Sequence, residues 1–168
     1  FVYIAIRFRR WQYGLSSVIC LAHDTLLVLG MYSLFNNVLP FTMEVNQSFI
    51  AAVLTVIGYS INNTVVIFDR VRENVNLFPK KGWKERFNSA NNSTLLRTIN
   101  TSGTTIVVLL AIFIFGGETI RGFVFALLVG MIAGTFSSLF IASPLAYALF
   151  KGKQYDEQLE QVADKKRK

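Results

Sequence analysis

Long apolar runs dominate the pattern of this chain and predict helices that cross a membrane. Four runs lie at residues 14–36, 46–68, 98–116 and 121–149, and each is near or above the roughly 20 residues that a transmembrane helix needs. Residues 1–6 are apolar but too few to span a bilayer, so we expect them to be the end of a fifth helix. The pattern therefore predicts an all-α membrane protein, a bundle of transmembrane helices with four full spans.

Composition agrees with this prediction. Apolar residues make up 52% of the 168 residues, Phe occurs 15 times and the mean hydropathy is +0.43. The single cysteine, Cys20, lies in an apolar run, and we interpret it as a packing residue rather than half of a disulfide. Because the chain starts at Phe1 without a Met and within an apolar segment, we expect it to be part of a longer polypeptide.

Basic residues are concentrated in alternate loops, which predicts an orientation. Residues 7–10 contain three arginines, residues 70–97 contain seven basic side chains against two acidic ones, and loop 36–47 contains no Lys or Arg. The positive-inside rule therefore places the basic loops in the cytoplasm, together with the polar tail, residues 151–168. Residues 1–150 form the transmembrane domain. Since these loops account for most of the net charge of +7, we expect no nucleic-acid partner.

The fourth run contains a repeat of small residues that predicts close helix packing. A small side chain recurs every four residues without a break, at Gly122, Ala126, Gly130, Gly134, Ser138, Ala142 and Ala146. This spacing forms a smooth ridge along one face of a helix and lets another helix backbone approach. We expect Gly130, Gly134 and Ser138 to be packing positions, and Pro144 to bend the cytoplasmic end.

Polar side chains inside the second run are candidates for chemistry, because each must be paired, buried in protein or exposed to water. Thr55, Asn62 and Asp69 share one stripe of the predicted helix, while Asn63 lies on another stripe. The two asparagines suit either hydrogen bonds between helices or an ion pathway. Asp69, with Arg70 next to it, is interpreted as the headgroup end of the helix.

Two further runs carry polar groups. Arg97, Thr101 and Thr105 lie on a polar stripe that starts at the cytoplasmic end of the third run, and the first run contains His23 and Asp24. An unpaired carboxylate near the bilayer centre costs at least about 2.5–3.5 kcal/mol, so Asp24 must contact a polar group or be protonated. His23 is adjacent in sequence, but adjacent helical residues do not face each other, so we interpret it as a structural hydrogen-bonding residue.

No hydrolase motif accompanies these groups. The sequence contains no Gly-x-Ser-x-Gly, His-Glu-x-x-His or Gly-x-Gly-Asp pattern. We therefore expect no enzymatic activity, no metal and no cofactor.

One long motif and several short ones resemble a known family. Residues 58–74 read Gly-Tyr-Ser-Ile-Asn-Asn-Thr-Val-Val-Ile-Phe-Asp-Arg-Val-Arg-Glu-Asn and closely resemble the signature of SecF, the protein-export membrane subunit, or of the SecF half of fused SecDF. Shorter matches follow the same order along the chain: Ala-His-Asp at 22–24, the Arg- and Thr-containing stretch 97–105, Phe-Gly-Gly at 115–117 and Gly-Thr-Phe-Ser-Ser at 134–138.

This resemblance implies a member of the resistance-nodulation-division (RND) superfamily, in which each half has six spanning helices. It implies a Sec accessory subunit in the bacterial plasma (inner) membrane that uses the proton or sodium motive force to assist preprotein translocation. The implied partners are SecD, separate or fused, the SecYEG channel, and the associated YajC and YidC. A small-molecule exporter of the same superfamily remains an alternative, because the spanning helices alone do not state what is moved.

The chain departs from the family pattern at Asn63. The family has Asp at this position, and the resemblance implies that this Asp carries a proton and works opposite the arginine matching Arg97. Asn does not ionise, so it cannot carry a proton. Either coupling has moved to another group, such as Asp24 or Asp69, or this half is a structural scaffold with weak or no ion coupling, or the residue was engineered.

Overall fold

The computed structural model describes residues 2–8, 10–35, 38–41, 43–78 and 81–150, and all regular structure in these ranges is helical. Six α-helices follow one another along these ranges: α1 (Val2–Phe8), α2 (Trp11–Phe35), α3 (Gln47–Leu77), α4 (Trp83–Phe115), α5 (Glu118–Ser137) and α6 (Ser143–Leu149). A π-helical turn, Ser138–Ala142, joins α5 to α6. Four segments are long and apolar enough to cross a membrane, namely α2, α3, α4 and the continuous segment Glu118–Leu149.

The predicted all-α membrane fold with four full spans is therefore confirmed. The short segment predicted at residues 1–6 corresponds to α1, of which Val2–Phe8 are described. The polar tail predicted at residues 151–168 lies outside the described residues, as do Arg9, Pro79 and Lys80.

Helix α3 is longer than the apolar run that predicted it. It begins after Asn46, whose side-chain oxygen accepts a hydrogen bond from the backbone N–H of Phe49 at 3.0 Å. It continues without interruption to Leu77, so the interpretation of Asp69 as the end of the helix is wrong. The residues that follow Asp69 are polar, but polarity does not break a helix.

Sequence features near the ends of α3 and α4 explain where the helices stop. Arg70 pairs with Glu73 one turn further along α3 at 2.5 Å, which supports the polar end of this helix. The stop comes where the sequence reaches Pro79, because proline disfavours helical backbone in the residue before it. Helix α4 starts at Trp83, so the predicted span 98–116 is only its second half.

Helix α5 lies at the centre of the bundle, where it packs against α2, α3 and α4. In the most apolar stretch of Glu118–Leu149, 61% of the residues are buried, against 22%, 33% and 17% in α2, α3 and α4. All seven small residues of the four-residue repeat are buried. A Cβ atom added to Gly130 would lie 2.9 Å from Cβ of Val56, and one added to Gly134 would lie 3.2 Å from Cβ of Ser60. These two glycines allow α3 to approach α5 closely.

The end of the central helix departs from α geometry just before Pro144. Proline has no backbone N–H to donate to the preceding turn, and residues Ser138–Ala142 form the wider π-helical turn. The side-chain amide of Asn91 on α4 donates a hydrogen bond to the carbonyl oxygen of Leu139 at 3.4 Å. Leu139 lies five residues before Pro144, so Asn91 occupies the place of the π-type hydrogen bond that proline cannot make.

Buried apolar residues form two separate clusters at different levels of the bundle. The first apolar cluster includes Val28, Val56, Leu109 and Met131, one from each long helix. The second apolar cluster includes Cys20, Ile67, Ala90 and Leu139, from α2, α3, α4 and the π-helical turn. Along every long helix, the segment between the two clusters carries buried polar side chains. The fold thus contains a polar layer between two apolar regions.

Candidate functional site

The polar layer is formed by short segments of four helices that lie at the same level. We define it by its buried polar side chains: Asp24 of α2, Ser60, Asn63 and Thr64 of α3, Thr94, Thr98 and Ser102 of α4, and Ser137 and Ser138 near the end of α5. Tyr59 and Thr135 adjoin it and are partly buried. Buried polar groups inside spanning helices are costly unless they are paired, so these side chains are the candidate functional site.

Asp24 is the buried carboxylate of this layer, and its side chain is 1% exposed. Its Oδ2 atom accepts a hydrogen bond from Oγ of Ser60 at 2.6 Å, which joins α2 to α3. Its Oδ1 atom lies 3.2 Å from Nδ1 of His23. The structure therefore supplies the polar contact that Asp24 was expected to need. The interpretation that His23 and Asp24 do not face each other is wrong, because the two side chains reach across the helix surface from neighbouring positions.

A second hydrogen-bonded group joins α3, α4 and α5. The hydroxyl of Tyr59 on α3 donates to Oγ of Ser102 on α4 at 2.7 Å. Thr135 on α5 places its hydroxyl 2.8 Å from the same Oγ and 2.7 Å from the carbonyl oxygen of Met131. A threonine hydroxyl has one hydrogen, so it can donate to only one of these two acceptors at a time.

Asn63 is buried in the polar layer but incompletely paired. It is 6% exposed, and its Nδ2 atom has no hydrogen-bond partner among the described residues. Asn63 lies one helical turn beyond Tyr59, so both project from the same face of α3. A buried donor without a partner costs about 1–3 kcal/mol. Position 63 thus holds a buried donor that the described part of the layer does not satisfy.

Asn62 and two threonines of α4 are not part of the buried layer. Asn62 is exposed and lies on the same outward stripe as Thr55 and Gly58. Thr101 and Thr105 are exposed or partly exposed, and each hydroxyl donates to a carbonyl oxygen of its own helix, at Arg97 and Thr101 respectively, both at 2.9 Å. Their hydroxyl groups are already satisfied without another helix.

Arg97 and Asp69 line a cleft between α3 and α4, next to the polar layer. The cleft has a volume of about 340 Å³ and is lined by Val66, Asp69, Arg70, Glu73, Ser93, Thr94 and Arg97. Arg70 donates to Oγ of Ser93 at 3.0 Å, and Asp69 lies 3.4 Å from Arg7 of α1. The structure brings Arg97 into the same cleft as Asp69, whereas Asn63 does not line this cleft. Within the described ranges Arg97 forms no ion pair.

The pairing of side chains from different helices is the part of the site that sequence reasoning missed. Asp24 and Ser60 are 36 positions apart, and Tyr59 and Ser102 are 43 apart. Both Tyr59 and Ser60 belong to the motif at residues 58–74. Membership of this motif was the sequence feature that marked them as candidate functional residues. In the part of the chain that the structure describes, no group of three His, Cys, Asp or Glu residues could hold a metal ion.

Comparisons with known proteins agree on one family. Residues 1–152 match the family described as protein export membrane protein SecD/SecF, C-terminal. The chain is 54% identical over 149 residues to the protein translocase subunit SecF of Rhodothermus marinus, covering 89% of this chain and 48% of the relative. It is 46% identical over 158 residues to the corresponding subunit of Sebaldella termitidis, covering 94% and 49%. The chain thus spans about half the length of the curated relatives it matches.

Two solved structures resemble this fold. A crystal structure of SecDF in the super-membrane-facing form superposes with a TM-score of 0.81 at 40% identity, over 95% of this chain and 21% of that one. A crystal structure of SecDF from Thermus thermophilus, described as a translocon-associated membrane protein, gives a TM-score of 0.78 at 41% identity, over 89% and 20%.

Proposed function

Because the chain belongs to the SecD/SecF family of protein-export membrane proteins, we propose that it is the membrane-spanning part of a Sec accessory subunit that assists preprotein translocation. The family match over residues 1–152 is the observation that carries this proposal. The relatives are named protein translocase subunits, which favours protein export over the small-molecule efflux performed by other RND proteins.

The proposal includes the partners and the membrane of the longer protein. The chain would work with SecD, either as a separate subunit or as a fused half, and with the SecYEG channel, YajC and YidC. It would lie in the bacterial plasma membrane with its C-terminus in the cytoplasm. The basic side chains of residues 7–10 and 70–97 support this orientation, because cytoplasmic loops are enriched in Lys and Arg.

The mechanism that we propose is coupling of an ion gradient to helix movement. The candidate groups are Asn62, Asn63, Asp69, Arg97, Thr101, Thr105, His23 and Asp24. One charge that crosses a potential of 100 mV releases about 2.3 kcal/mol. This free energy is comparable with a few interhelical hydrogen bonds of the polar layer, so binding and release of an ion there could favour alternate packings of α2, α3 and α4.

A scaffold role is the second candidate function, and Asn63 is the observation that favours it. The side chain at the position of the family's proton-carrying Asp does not ionise, and Arg97 lies in a cleft that Asn63 does not line. In this alternative, the chain would support a partner half that retains the ion-coupling chemistry, and a change at Arg97 would have no effect on export.

Substitution of Arg97 separates the two functions. The full-length protein is reconstituted with the Sec channel in vesicles, so that preprotein export is measured as import into the vesicle. R97Q should abolish the part of this import that depends on the pH gradient. Arg121 at the start of α5 provides the matched control, since R121Q removes the same charge far from the cleft and should retain this dependence. An import rate that R97Q leaves untouched would favour the scaffold. Crosslinking of a translocating preprotein to the chain would support export, and its failure in an active system would favour efflux.

A further inference from the structure

The position of Asp24 in the bundle is unusual for a carboxylate. Asp24 lies near the middle of α2 (Trp11–Phe35), about 20 Å along the axis from Trp11 and about 17 Å from Phe35 at 1.5 Å per residue. It is 1% exposed, whereas the side chain of His23 beside it is 40% exposed. The pair therefore links the buried interior of the bundle to its surface. Burial of a charged group at this depth has a large free-energy cost, so packing alone does not explain an aspartate at this position.

We propose that Asp24 and His23 form a proton-binding pair in the middle of the bundle, and that the charge of this pair controls the Ser60 hydrogen bond between α2 and α3. The inference rests on the proposed transport function and names a carboxylate that could take up the proton in a chain with Asn at position 63. It differs from the family-based expectation, which concerns position 63 and Arg97.

Two titratable side chains lie close to Asp24, and both belong to its own helix. On α2 itself the neighbours are His23 and, one turn earlier, the buried Cys20. Helix α3 presents Ser60, and its first charged residue, Asp69, lies more than two turns further on. Helix α5 presents Gly134, where an added Cβ atom would lie 3.5 Å from Oδ2 of Asp24.

On the other helices that pack against α2, the charged residues lie away from Asp24. The charged residues of the central segment, Glu118 and Arg121, are at the opposite end of α5 from Gly134. Helix α1 contributes Arg7, which reaches Asp69 rather than Asp24, and α6 contains no Asp, Glu, Lys, Arg or His. His23 is therefore the partner that most directly shares a proton with Asp24.

The chemical step is the uptake of one proton. In the charged state, Ser60 donates to Oδ2 and the Nδ1–H tautomer of His23 donates to Oδ1. One proton then passes from a hydronium ion of the aqueous phase, whose O–H bond breaks, to a carboxylate oxygen of Asp24, where a new O–H bond forms and the net charge of the pair rises by one unit. A hydrogen bond to an ionised acceptor is about twice as strong as a neutral one. Protonation of Asp24 therefore weakens the link from Ser60, and proton release restores it.

Infrared spectroscopy of the full-length protein in lipid vesicles tests this site directly. On acidification, a C=O stretching band of a protonated carboxyl group should appear in the wild-type protein and be lost in D24N. E118Q is the control, because it removes an exposed carboxylate at the start of α5 and should retain the band. S60A should shift the band to higher frequency, since the carboxyl group loses a hydrogen-bond donor, and H23Q should move the pH midpoint at which the band appears.

Several results would overturn the inference. A band that survives D24N unchanged, or the absence of any such band in folded wild-type protein, excludes Asp24 as the proton-binding group. If D24N fails to fold, a band whose frequency does not respond to S60A has the same meaning. Export is measured separately on the same samples. A band that behaves as expected without export driven by the pH gradient would overturn the proposed coupling mechanism and leave the proton site standing, and the reverse result would overturn the site alone.

Discussion

Asn63 occupies a position where an amide and a carboxylate have nearly the same size but different chemistry. Its side chain has nearly the shape of aspartate, and it is buried in the polar layer with an Nδ2 atom that has no partner among the described residues. An amide donates and accepts hydrogen bonds but does not take up a proton in the physiological range. In size the site is thus compatible with either residue, while only aspartate would add a titratable group at position 63.

Replacement of Asn63 by aspartate should therefore add a titratable group without disturbing the fold. We expect N63D to increase the part of preprotein import that depends on the pH gradient, with the 2.3 kcal/mol or so available per charge and 100 mV as the upper limit on the free energy gained. The measurement is import into vesicles with and without a pH gradient. N62D is the control, because Asn62 is exposed on the outward stripe of α3. Equal gradient dependence in N63D and the parent would show that position 63 does not limit coupling.

At the residue scale, the sequence located candidate side chains but not their partners. Asp24 had to contact a polar group because of the cost of an unpaired carboxylate in a bilayer, and it does. That the group is Ser60 depends on which helices are neighbours and how each is rotated, and helix periodicity fixes neither. Arg97 lies in a cleft with Asp69, and its position opposite residue 63 stays a prediction.

At the scale of the helix, the small-residue repeat of α5 was enough to predict close packing, because close packing depends directly on side-chain size. Gly130 has no room for a methyl group: a Cβ atom there would lie 2.9 Å from Cβ of Val56 and closer still to both of its methyl carbons. The π-helical turn before Pro144 was harder to predict from the sequence. Proline predicts a disturbed helix, but the hydrogen bond to the carbonyl oxygen of Leu139 comes from Asn91 on another helix, α4.

Substitution of Gly130 tests the contact between α3 and α5. We expect G130A to lower the free energy of unfolding by about 1–3 kcal/mol, the range typical of an overpacked interior. Thermal unfolding in detergent, followed by light scattering or intrinsic fluorescence, gives the comparison. Gly58 on α3 is the matched control, because an added Cβ there meets nothing within 4 Å, so G58A should not lower the free energy of unfolding. A similar loss in both variants would mean that Gly130 is not a special packing position.

At the scale of the whole molecule, the distribution of apolar residues is that of a protein whose solvent is lipid. Large apolar side chains are exposed along α4, including Leu96, Val107 and Phe115, and only 17% of its most apolar stretch is buried. In water such surfaces would be unfavourable, whereas lipid tails are as apolar as the side chains themselves. Most of the buried polar groups that the structure describes, in contrast, lie between the two apolar clusters. Because burial of apolar area provides little driving force between helices in lipid, the hydrogen bonds and small residues of the interior have the larger part in holding the helices together.

The charge distribution predicts how this bundle is oriented in the membrane, and the prediction can be tested with single cysteines. Asn88 near the start of α4 and Glu118 at the start of α5 are both exposed. The first lies in the basic region of residues 70–97, and the second follows the nearly neutral turn at Gly116 and Gly117. By the positive-inside rule, Asn88 should be cytoplasmic and Glu118 should face the other side.

A membrane-impermeant maleimide should therefore label E118C but not N88C in intact cells with a permeabilised outer membrane, and N88C but not E118C in inverted vesicles. The unsubstituted protein measures background labelling, which should be low from this chain because Cys20 is fully buried. Labelling of both cysteines from the same side, or the reverse pattern, would contradict the orientation.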